Sequence, residues 1–169
     1  MRPTQTREST AVLEITDEAT RYALPEGYRI VDFEREFDVR KYNRVLWKGF
    51  NHESEGPAPE DEERLRWRIG CVSSPHVNRS LLIAVVAPDG EYAAHCGMWY
   101  RGGDLAVVEP VATVPEHRRK GLGRAAVLEA VRRCGELGAK RAVVASSQQF
   151  YYSMGFCPAG TETFWEKCV

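Results

Sequence analysis

The sequence predicts a mixed α/β sandwich, in which a central mixed sheet of about six or seven strands carries helices on both faces. Segments with the two-residue alternation of strands and segments with helical spacing follow each other in the order β, α, α, β, β, β, α, β, α, β, β. The chain has 169 residues, of which 43% are hydrophobic and 28% charged. This size and composition are typical of one globular domain.

Composition and charge exclude several functional classes. The 23 Lys and Arg residues nearly balance the 24 Asp and Glu residues, so no overall charge directs the chain to nucleic acid or an anionic membrane. The longest apolar run, residues 81–87, is too short to span a bilayer. The five cysteines are scattered without C-x-x-C spacing, which argues against a zinc site or a disulfide framework. We therefore expect a cytoplasmic protein without a metal, a nucleic-acid partner or a membrane partner.

The first 26 residues are expected to form an arm outside the main domain, which would cover residues 27–169. Four apolar residues stand at helical spacing before Pro25 and suggest a short amphipathic helix: Val12, Ile15, Ala19 and Tyr22. A loosely ordered tail is the alternative interpretation. If the arm has a partner, a homodimer contact is one role considered for it.

The remaining elements follow from periodicity and from turn residues. Residues 27–33 alternate as a strand does, a helix is expected over about 36–50, and residues 51–61 read as a loop before a second helix to about Cys71. Further on we expect strands over 81–87, 92–100 and 105–114, a helix ending at Gly138, a strand over 140–145, a short helix over 148–154, and closing strands around 157–159 and 163–167.

The most informative segment is residues 107–126, where a β-rich run is followed by a basic turn and a glycine pair that opens an Ala-rich helix. Gly121 and Gly123 allow close approach of a ligand to the backbone, and a helix N-terminus attracts anions. Arg118, Arg119 and Lys120 add positive charge at the same point. The segment therefore predicts an anion site suited to a diphosphate.

The spacing distinguishes between kinds of phosphate loop. A P-loop requires Lys-Ser or Lys-Thr after its last glycine, but Arg124-Ala125 follows Gly123 here. The pattern G-x-G-x-x-A from Gly121 to Ala126 also matches a dinucleotide fingerprint, yet six residues separate it from the preceding strand. A nicotinamide-dependent oxidoreductase is kept as a weak alternative on that pattern alone.

Two motifs carry a resemblance to a known family. Residues 113–123, TVPEHRRKGLG, match the pattern V-x-P-E-x-R-x-K-G-x-G with Thr113 in place of the usual valine, and residues 151–156, YYSMGF, match Y-x-x-x-G-F. In order and separation the two motifs resemble those of the GNAT superfamily of acyl-CoA N-acyltransferases. The resemblance covers about residues 27–169. It implies a sheet that splays between the fourth and fifth strands of that domain.

The resemblance also implies how acetyl-CoA, the co-substrate, would bind. The backbone of Val111, Thr113 and Val114 would pair with the pantetheine arm. The pyrophosphate loop would follow directly, and its residues are Arg118, Arg119, Lys120, Gly121, Leu122, Gly123, Arg124 and Ala125. Pro110 is compatible with this arrangement, because a proline within a strand is tolerated at an edge or a bulge.

Catalysis by direct attack of an amine on a thioester needs an acid for the departing thiolate and a base for the amine. By resemblance Tyr151 is the acid, with its neighbour Tyr152 as the rival. Glu109 is expected to be the base, because an acidic residue within an apolar strand is costly to bury without a role. His95, on the strand expected beside it, is the alternative base.

The acceptor pocket is expected between the first helical region and the middle strands. The candidates there are Trp47, Phe50, His95 and Trp99, with His52 and Tyr100 nearby in sequence. Aromatic faces beside Glu109 would suit a protonated amine. The amine could belong to a small molecule, which we favour, to a peptide N-terminus or to a protein lysine. A non-catalytic module that binds acyl-CoA is the second hypothesis for the whole chain.

Overall fold

The computed structural model describes residues 2–52 and 56–167, and within them the chain forms a mixed α/β fold. The strands are β1 (Arg2–Glu14), β2 (Arg29–Asp32), β3 (Ile83–Val86), β4 (Tyr92–Trp99), β5 (Leu105–Thr113), β6 (Arg141–Val144) and β7 (Cys157–Glu166). The helices are α1 (Val39–Gly49), α2 (Glu62–Ser73), α3 (Leu122–Glu136) and α4 (Gln149–Tyr152). Part of the loop expected over 51–61 lies outside the described residues.

The strands form one sheet in the order β2-β3-β4-β5-β6-β1-β7. Within the described residues β5 and β6 pair in parallel, and the other neighbours pair antiparallel. Helix α3 packs against one face, and α1, with α2 beside it, covers the other. The predicted fold class is therefore confirmed.

The sheet splays between β5 and β6. Their pairing covers only Leu105 to Val107, opposite Arg141 to Val143, while β5 continues to Thr113 beside β4. These are the fourth and fifth strands counted from β2, so the predicted splay is confirmed. One edge of β5 is left open from Val108 onward.

A bulge interrupts β5 next to this open edge. Cys96 pairs with Val111 and Met98 with Val108, so Gly97 alone stands opposite Glu109 and Pro110. The Glu109-Pro110 peptide is cis. A β-carbon on Gly97 would lie 2.7 Å from the carbonyl oxygen of Glu109, so glycine is required there. The prediction that Pro110 lies at an edge or a bulge is confirmed.

The prediction of a short helix between Val12 and Tyr22 is wrong. Residues 2–14 form β1, which pairs with both β6 and β7, and residues 17–20 form a turn. Ala11 and Leu13 are buried whereas Glu14 is exposed. These residues therefore alternate between two faces as in a strand, although their spacing had suggested a helix. The polar residues before Thr10 gave no apolar alternation, because the first part of β1 is exposed on both faces.

The C-terminal part differs from expectation in the same region. In place of two closing strands, β7 is one strand with register shifts against β1. Gly160 stands opposite Thr10, where a β-carbon would lie 3.3 Å from the Thr10 side chain. The interruption in the apolar pattern therefore reflects irregular pairing rather than a turn.

A buried ion network joins the edge of the sheet to α3. Arg133 donates 2.8 Å hydrogen bonds to Asp32 and to Glu129, and Arg132 also binds Glu129. Burial alone would raise the pKa of Asp32, but the hydrogen bonds from Arg133 and from the Arg35 backbone lower it overall. The folded state therefore holds Asp32 in its charged form.

We expect Asp32→Ala to destabilise the protein by about 1.5–3 kcal/mol at pH 7, because Arg133 loses one of its two carboxylate partners in a mostly buried site. Since the pKa of Asp32 is lower in the folded state, its contribution is present above the ordinary value of about 4 and is lost as pH falls below that value. Urea unfolding at pH 7 and near pH 3 measures both effects.

The control for this prediction is Asp104→Ala. Asp104 pairs with Lys140 at 3.0 Å, but both side chains are exposed, so the expected cost is below about 1 kcal/mol. Equal destabilisation by the two changes at pH 7 would contradict the account of the buried network.

Candidate functional site

The basic loop places a set of unpaired backbone amides at the start of α3. Arg119 and Gly121 have positive φ values of 63° and 80°, whereas the φ of Lys120 between them is not positive. This alternation turns successive N–H groups towards one side. Ala125 donates the first helical hydrogen bond, 2.9 Å, to the carbonyl of Gly121, and no side chain caps the helix.

The amides of residues 119–124 therefore find no acceptor among the described residues. A helix N-terminus with unpaired N–H groups is a favourable site for an anion. Leu122 contributes only its amide, since its side chain is 1% exposed within the core. The amide of Ala125, expected to bind the ligand, is already used inside the protein.

The basic side chains of the loop differ in their freedom. Arg118 donates to the carbonyls of Thr113 and Gly49 and, at 2.7 Å, to the Asn51 side chain. It therefore fixes the loop to the end of α1 instead of reaching out to a ligand. By contrast, the exposed guanidinium of Arg119 has no recorded partner among the described residues.

Lys120 and Arg124 hold the flanks of the loop. The Lys120 ammonium lies 3.3 Å from the Tyr28 hydroxyl, which in turn hydrogen-bonds His117. Arg124 donates a 2.8 Å hydrogen bond to the carbonyl of Ser153, just after α4. The loop is thus connected to the segment before β2 and to the tyrosine motif.

Gly123 is required for packing, which differs from the expected reason. A β-carbon there would lie 2.6 Å from the Thr113 hydroxyl and 3.3 Å from the Phe150 ring. The sequence interpretation assigned this glycine to ligand approach. In the structure it lets α3 approach the end of β5, which brings the amides next to the open strand edge.

The open edge of β5 exposes alternate backbone groups. The amide of Val114 donates to the Ala93 carbonyl at 2.9 Å, and Thr113 is the Cα partner of Ala94. In antiparallel pairing, the groups of Val111 and Thr113 then point away from β4, towards the splay, where the Thr113 carbonyl already accepts a 3.1 Å hydrogen bond from Arg118. Val114 does not, because both its backbone groups are paired inside the protein.

The two tyrosines of α4 have different surroundings. Tyr151 is 8% exposed and packs against Phe150 and Phe156, and its hydroxyl has no hydrogen-bond partner among the described residues. Burial raises the pKa of Tyr151 to about 12, with a smaller contribution from Cys96. Tyr152 faces outward and donates a 2.7 Å hydrogen bond to Glu8 of β1.

Glu109 does not fulfil the reason given for choosing it. The sequence suggested a buried carboxylate, but the side chain is exposed because the bulge takes this part of β5 out of regular pairing. Its position beside the splay is retained. A role as base must therefore be argued from position rather than from burial.

His95 is fully buried among aromatic side chains. It is fully enclosed, stacks on Phe33 at 5.1 Å between ring centroids, and contacts the Tyr42 ring. Burial lowers the pKa of His95 to about 3, against a smaller opposing contribution from the Ile83 backbone, and neither ring nitrogen makes a well-aligned hydrogen bond within the described residues. A direct contact with the acceptor is not compatible with this enclosure.

The expected aromatic pocket is only partly assembled. Trp47 lies in the seam between α1 and α2, where its indole N–H donates to Gly56, and Phe50 is exposed at the end of α1. Trp99 lies at the opposite end of β4 from Ala94, the partner of Thr113. Tyr100 binds the carbonyls of Gly103 and Leu137, far from the loop.

The sequence interpretation missed the residues that anchor the loop. Gly49 and Asn51 accept from Arg118, and a β-carbon on Gly49 would lie 2.6 Å from that of Ala112. Asn51 has a φ of 64°. A usable signal was the Asn at this position after a predicted helix, since Asn tolerates the left-handed region.

Two surface grooves lie away from the basic loop at the start of α3. The two grooves adjoin each other, with volumes of about 280 and 380 Å³, and are lined by the segment from Ile15 to Tyr22 and by the C-terminal half of α3.

No group of three or more His, Cys, Asp or Glu residues in the described part could hold a metal ion. No helix in 2–52 or 56–167 is long and apolar enough to cross a membrane. Cys71, Cys96, Cys134 and Cys157 are free, and Cys168 lies outside the described residues.

Comparisons with known proteins identify related sequences and folds. Residues 40–156 match the model of the acetyltransferase (GNAT) family. No curated protein matches the chain.

Several solved structures share the fold. A GCN5-related N-acetyltransferase from Sphaerobacter thermophilus is 15% identical with a TM-score of 0.74, over 96% of this chain and 51% of that one. A tandem GNAT protein from the clavulanic acid biosynthesis pathway is 15% identical, with a TM-score of 0.64 over 93% and 51% of the two chains. Glucosamine-6-phosphate N-acetyltransferase from Arabidopsis thaliana is 13% identical, with a TM-score of 0.59 over 85% and 99%. The chain thus spans about half the length of the first two, and these identities show a common fold alone.

Proposed function

The chain belongs to the GNAT family of acetyltransferases, and on that premise we propose that it transfers the acetyl group of acetyl-CoA to a primary amine. The observation that carries the proposal is the position of the unpaired amides of residues 119–124 next to the open edge of β5. The amides suit the pyrophosphate, and the edge suits the two amides of pantetheine. The residues present therefore fit acetyl-CoA.

The proposed reaction is direct attack within a ternary complex. The amine nitrogen forms a bond to the thioester carbonyl carbon, and the bond from that carbon to sulfur breaks. The departing thiolate takes a proton from the Tyr151 hydroxyl, and the proton lost by the amine passes to Glu109 or to water. Both substrates bind together, so no acyl-enzyme intermediate is needed.

The pKa of Tyr151 fits the role of a proton donor at neutral pH. Because burial raises it to about 12, the hydroxyl stays protonated throughout the working range. Apolar surroundings also raise the pKa of a thiol, as burial does for Cys96, so a thiolate that leaves next to Tyr151 would be a stronger proton acceptor than in water.

A screen of amines tests the proposed function. The protein is incubated with acetyl-CoA and a panel of small amines, peptides and lysine-containing proteins, and release of free thiol is measured with mass detection of the acetylated amine. We expect amine-dependent thiol release with at least one small amine. Acetyl-CoA binding without turnover of any acceptor class would support the non-catalytic module instead.

We expect Glu109→Gln to leave acetyl-CoA affinity unchanged and to lower kcat/KM most strongly at low pH, where the amine is mostly an ammonium. The wild-type profile should rise with pH as the amine loses its proton. It should not fall through deprotonation of Tyr151 below about pH 10, because the pKa of Tyr151 is raised. Profiles of kcat/KM against pH for both proteins measure this.

Superimposable profiles for wild type and Glu109→Gln would contradict the role of Glu109. The base would then be water. Glu116→Gln is the matched control, because Glu116 is another exposed glutamate and pairs with Lys48 at 3.3 Å in the loop region.

A further inference from the structure

Two arginines of α2 lie in the seam with α1 without a carboxylate partner. Arg64 and Arg68 are one helical turn apart, and in the described part of the chain neither forms an ion pair. The Nε atom of Arg64 is enclosed and has no hydrogen-bond acceptor among the residues that the structure describes. The Nε of Arg68 donates a 3.0 Å hydrogen bond to the side-chain oxygen of the buried Asn43.

The neighbouring arginines are paired with carboxylates. Arg40 and Arg44 bind Glu60 at 2.8 and 2.6 Å. Arg66, which lies on a different face of α2, binds Glu62. Like charges one turn apart on a helix repel each other. Burial, with a contribution from Arg64, lowers the pKa of Arg68, and no carboxylate within residues 2–52 and 56–167 pairs with either arginine.

Aromatic rings hold both guanidinium groups. Arg64 lies 5.8 Å from the Trp47 ring and 5.4 Å from the Trp67 ring. Arg68 lies 4.8 Å from Trp67 and 5.8 Å from Tyr42. A guanidinium stacked on a ring keeps its N–H edge free for a planar or tetrahedral anion. Trp67 itself is 55% exposed, so the cluster is accessible to solvent.

The contacts of α1 place this cluster on the side of the bulge. Arg68 lies over the Tyr42 ring, and that ring also contacts His95 of β4. His95 is the Cα partner of Ala112 in β5, just after the bulge. The cluster is therefore connected through α1 to the part of the sheet next to the bulge.

We infer that Arg64 and Arg68 bind an anionic group of the acceptor, so that the substrate is an amine that also carries a carboxylate or a phosphate. The inference rests on the proposed function for the position of the amine beside the thioester. The anion site itself is inferred only from the two arginines, which lie over aromatic rings and have no carboxylate partner among the described residues. The expected pocket for a purely cationic amine is thereby replaced by one for a molecule with both charges.

Matched acceptors test the inference. Phosphoethanolamine is compared with ethanolamine, and β-alanine with propylamine, using kcat/KM for acetylation. In at least one pair, we expect the member that carries an anionic group to exceed the member without one by about tenfold or more, because charge-assisted hydrogen bonds from two guanidinium groups are lost without the anion. The pair that shows the difference identifies phosphate or carboxylate as the preferred group.

The variants assign the preference to the seam. Arg64→Gln with Arg68→Gln should remove it while acetyl-CoA affinity stays the same. Arg66→Gln, on the same helix, should keep it. Equal rates within both pairs, or a preference that survives the double change, would overturn the inference.

A binding measurement separates this inference from the proposed function. Inorganic phosphate and acetate are titrated into acetyl-CoA-saturated protein while the fluorescence of the tryptophans, which include Trp47 and Trp67, is followed. We expect saturation with one anion in wild type and in Arg66→Gln, and none in the double variant. If acetyl-CoA does not bind, the proposed function fails, but the same titration of the free protein still decides the anion site. No difference between wild type and the double variant would overturn it.

Discussion

Replacement of Tyr151 by phenylalanine is expected to lower kcat by roughly ten- to a thousandfold while acetyl-CoA affinity is retained. The change removes one hydroxyl and keeps the ring that packs against Phe150 and Phe156. Since that hydroxyl has no partner among the described residues, its removal breaks no recorded hydrogen bond of the fold. Steady-state kinetics with the acceptor found in the screen, together with calorimetric titration of acetyl-CoA, measures both parts.

Tyr152→Phe is the matched control on the same helix. It removes a 2.7 Å hydrogen bond to Glu8 on the exposed side, so kcat should change by less than about threefold. A large loss of kcat in Tyr152→Phe with none in Tyr151→Phe would move the acid role to the neighbouring residue.

The second large effect is expected at the glycines of the loop. Gly121 has a φ of 80°, which a β-branched residue does not tolerate, and a side chain on Gly123 would collide with Thr113. Either change to valine should displace the amides at the start of α3. Loss of two charge-assisted hydrogen bonds corresponds to a fall in acetyl-CoA affinity of roughly a hundredfold or more.

Gly121→Asn distinguishes loop geometry from the mere presence of a side chain. A β-carbon at this position meets nothing within 4 Å, and asparagine tolerates the left-handed region, so affinity should fall only slightly. Arg119→Ala should also weaken binding only modestly, because the exposed side chain adds charge without shaping the loop. Unchanged affinity in a folded Gly123→Val protein would contradict the assignment of the loop to the cofactor.

The loop and the core elements could be predicted because their signals are local. Alternation, helical spacing and the glycine pair located β2 to β6 and α1 to α3 within a few residues. Helix α1 begins after Asp38, whose side chain caps the amides of Arg40 and Lys41, rather than at Glu36. Two adjacent helical residues were also expected to face different ways, and Tyr151 is buried whereas Tyr152 is partly exposed.

The rest depended on contacts between distant segments. Strand β1 is defined by pairing with β6 and β7, and its exposed polar half carries no apolar pattern of its own. The exposure of Glu109 follows from a bulge that sequence alone does not place, and the enclosure of His95 follows from Phe33 and Tyr42. The unpaired state of Arg64 and Arg68 could be recognised only once their neighbours were known.

The central claim is that the amides of residues 119–124 and the open edge of β5 bind acetyl-CoA for transfer to an amine. Calorimetric titration of the protein with acetyl-CoA, CoA and NAD tests the binding half of this claim most directly. The account predicts saturable binding of acetyl-CoA and CoA at one site per chain, lost in Gly123→Val, and no binding of NAD. Binding of NAD without binding of either CoA compound would contradict it and would return the glycine loop to a dinucleotide.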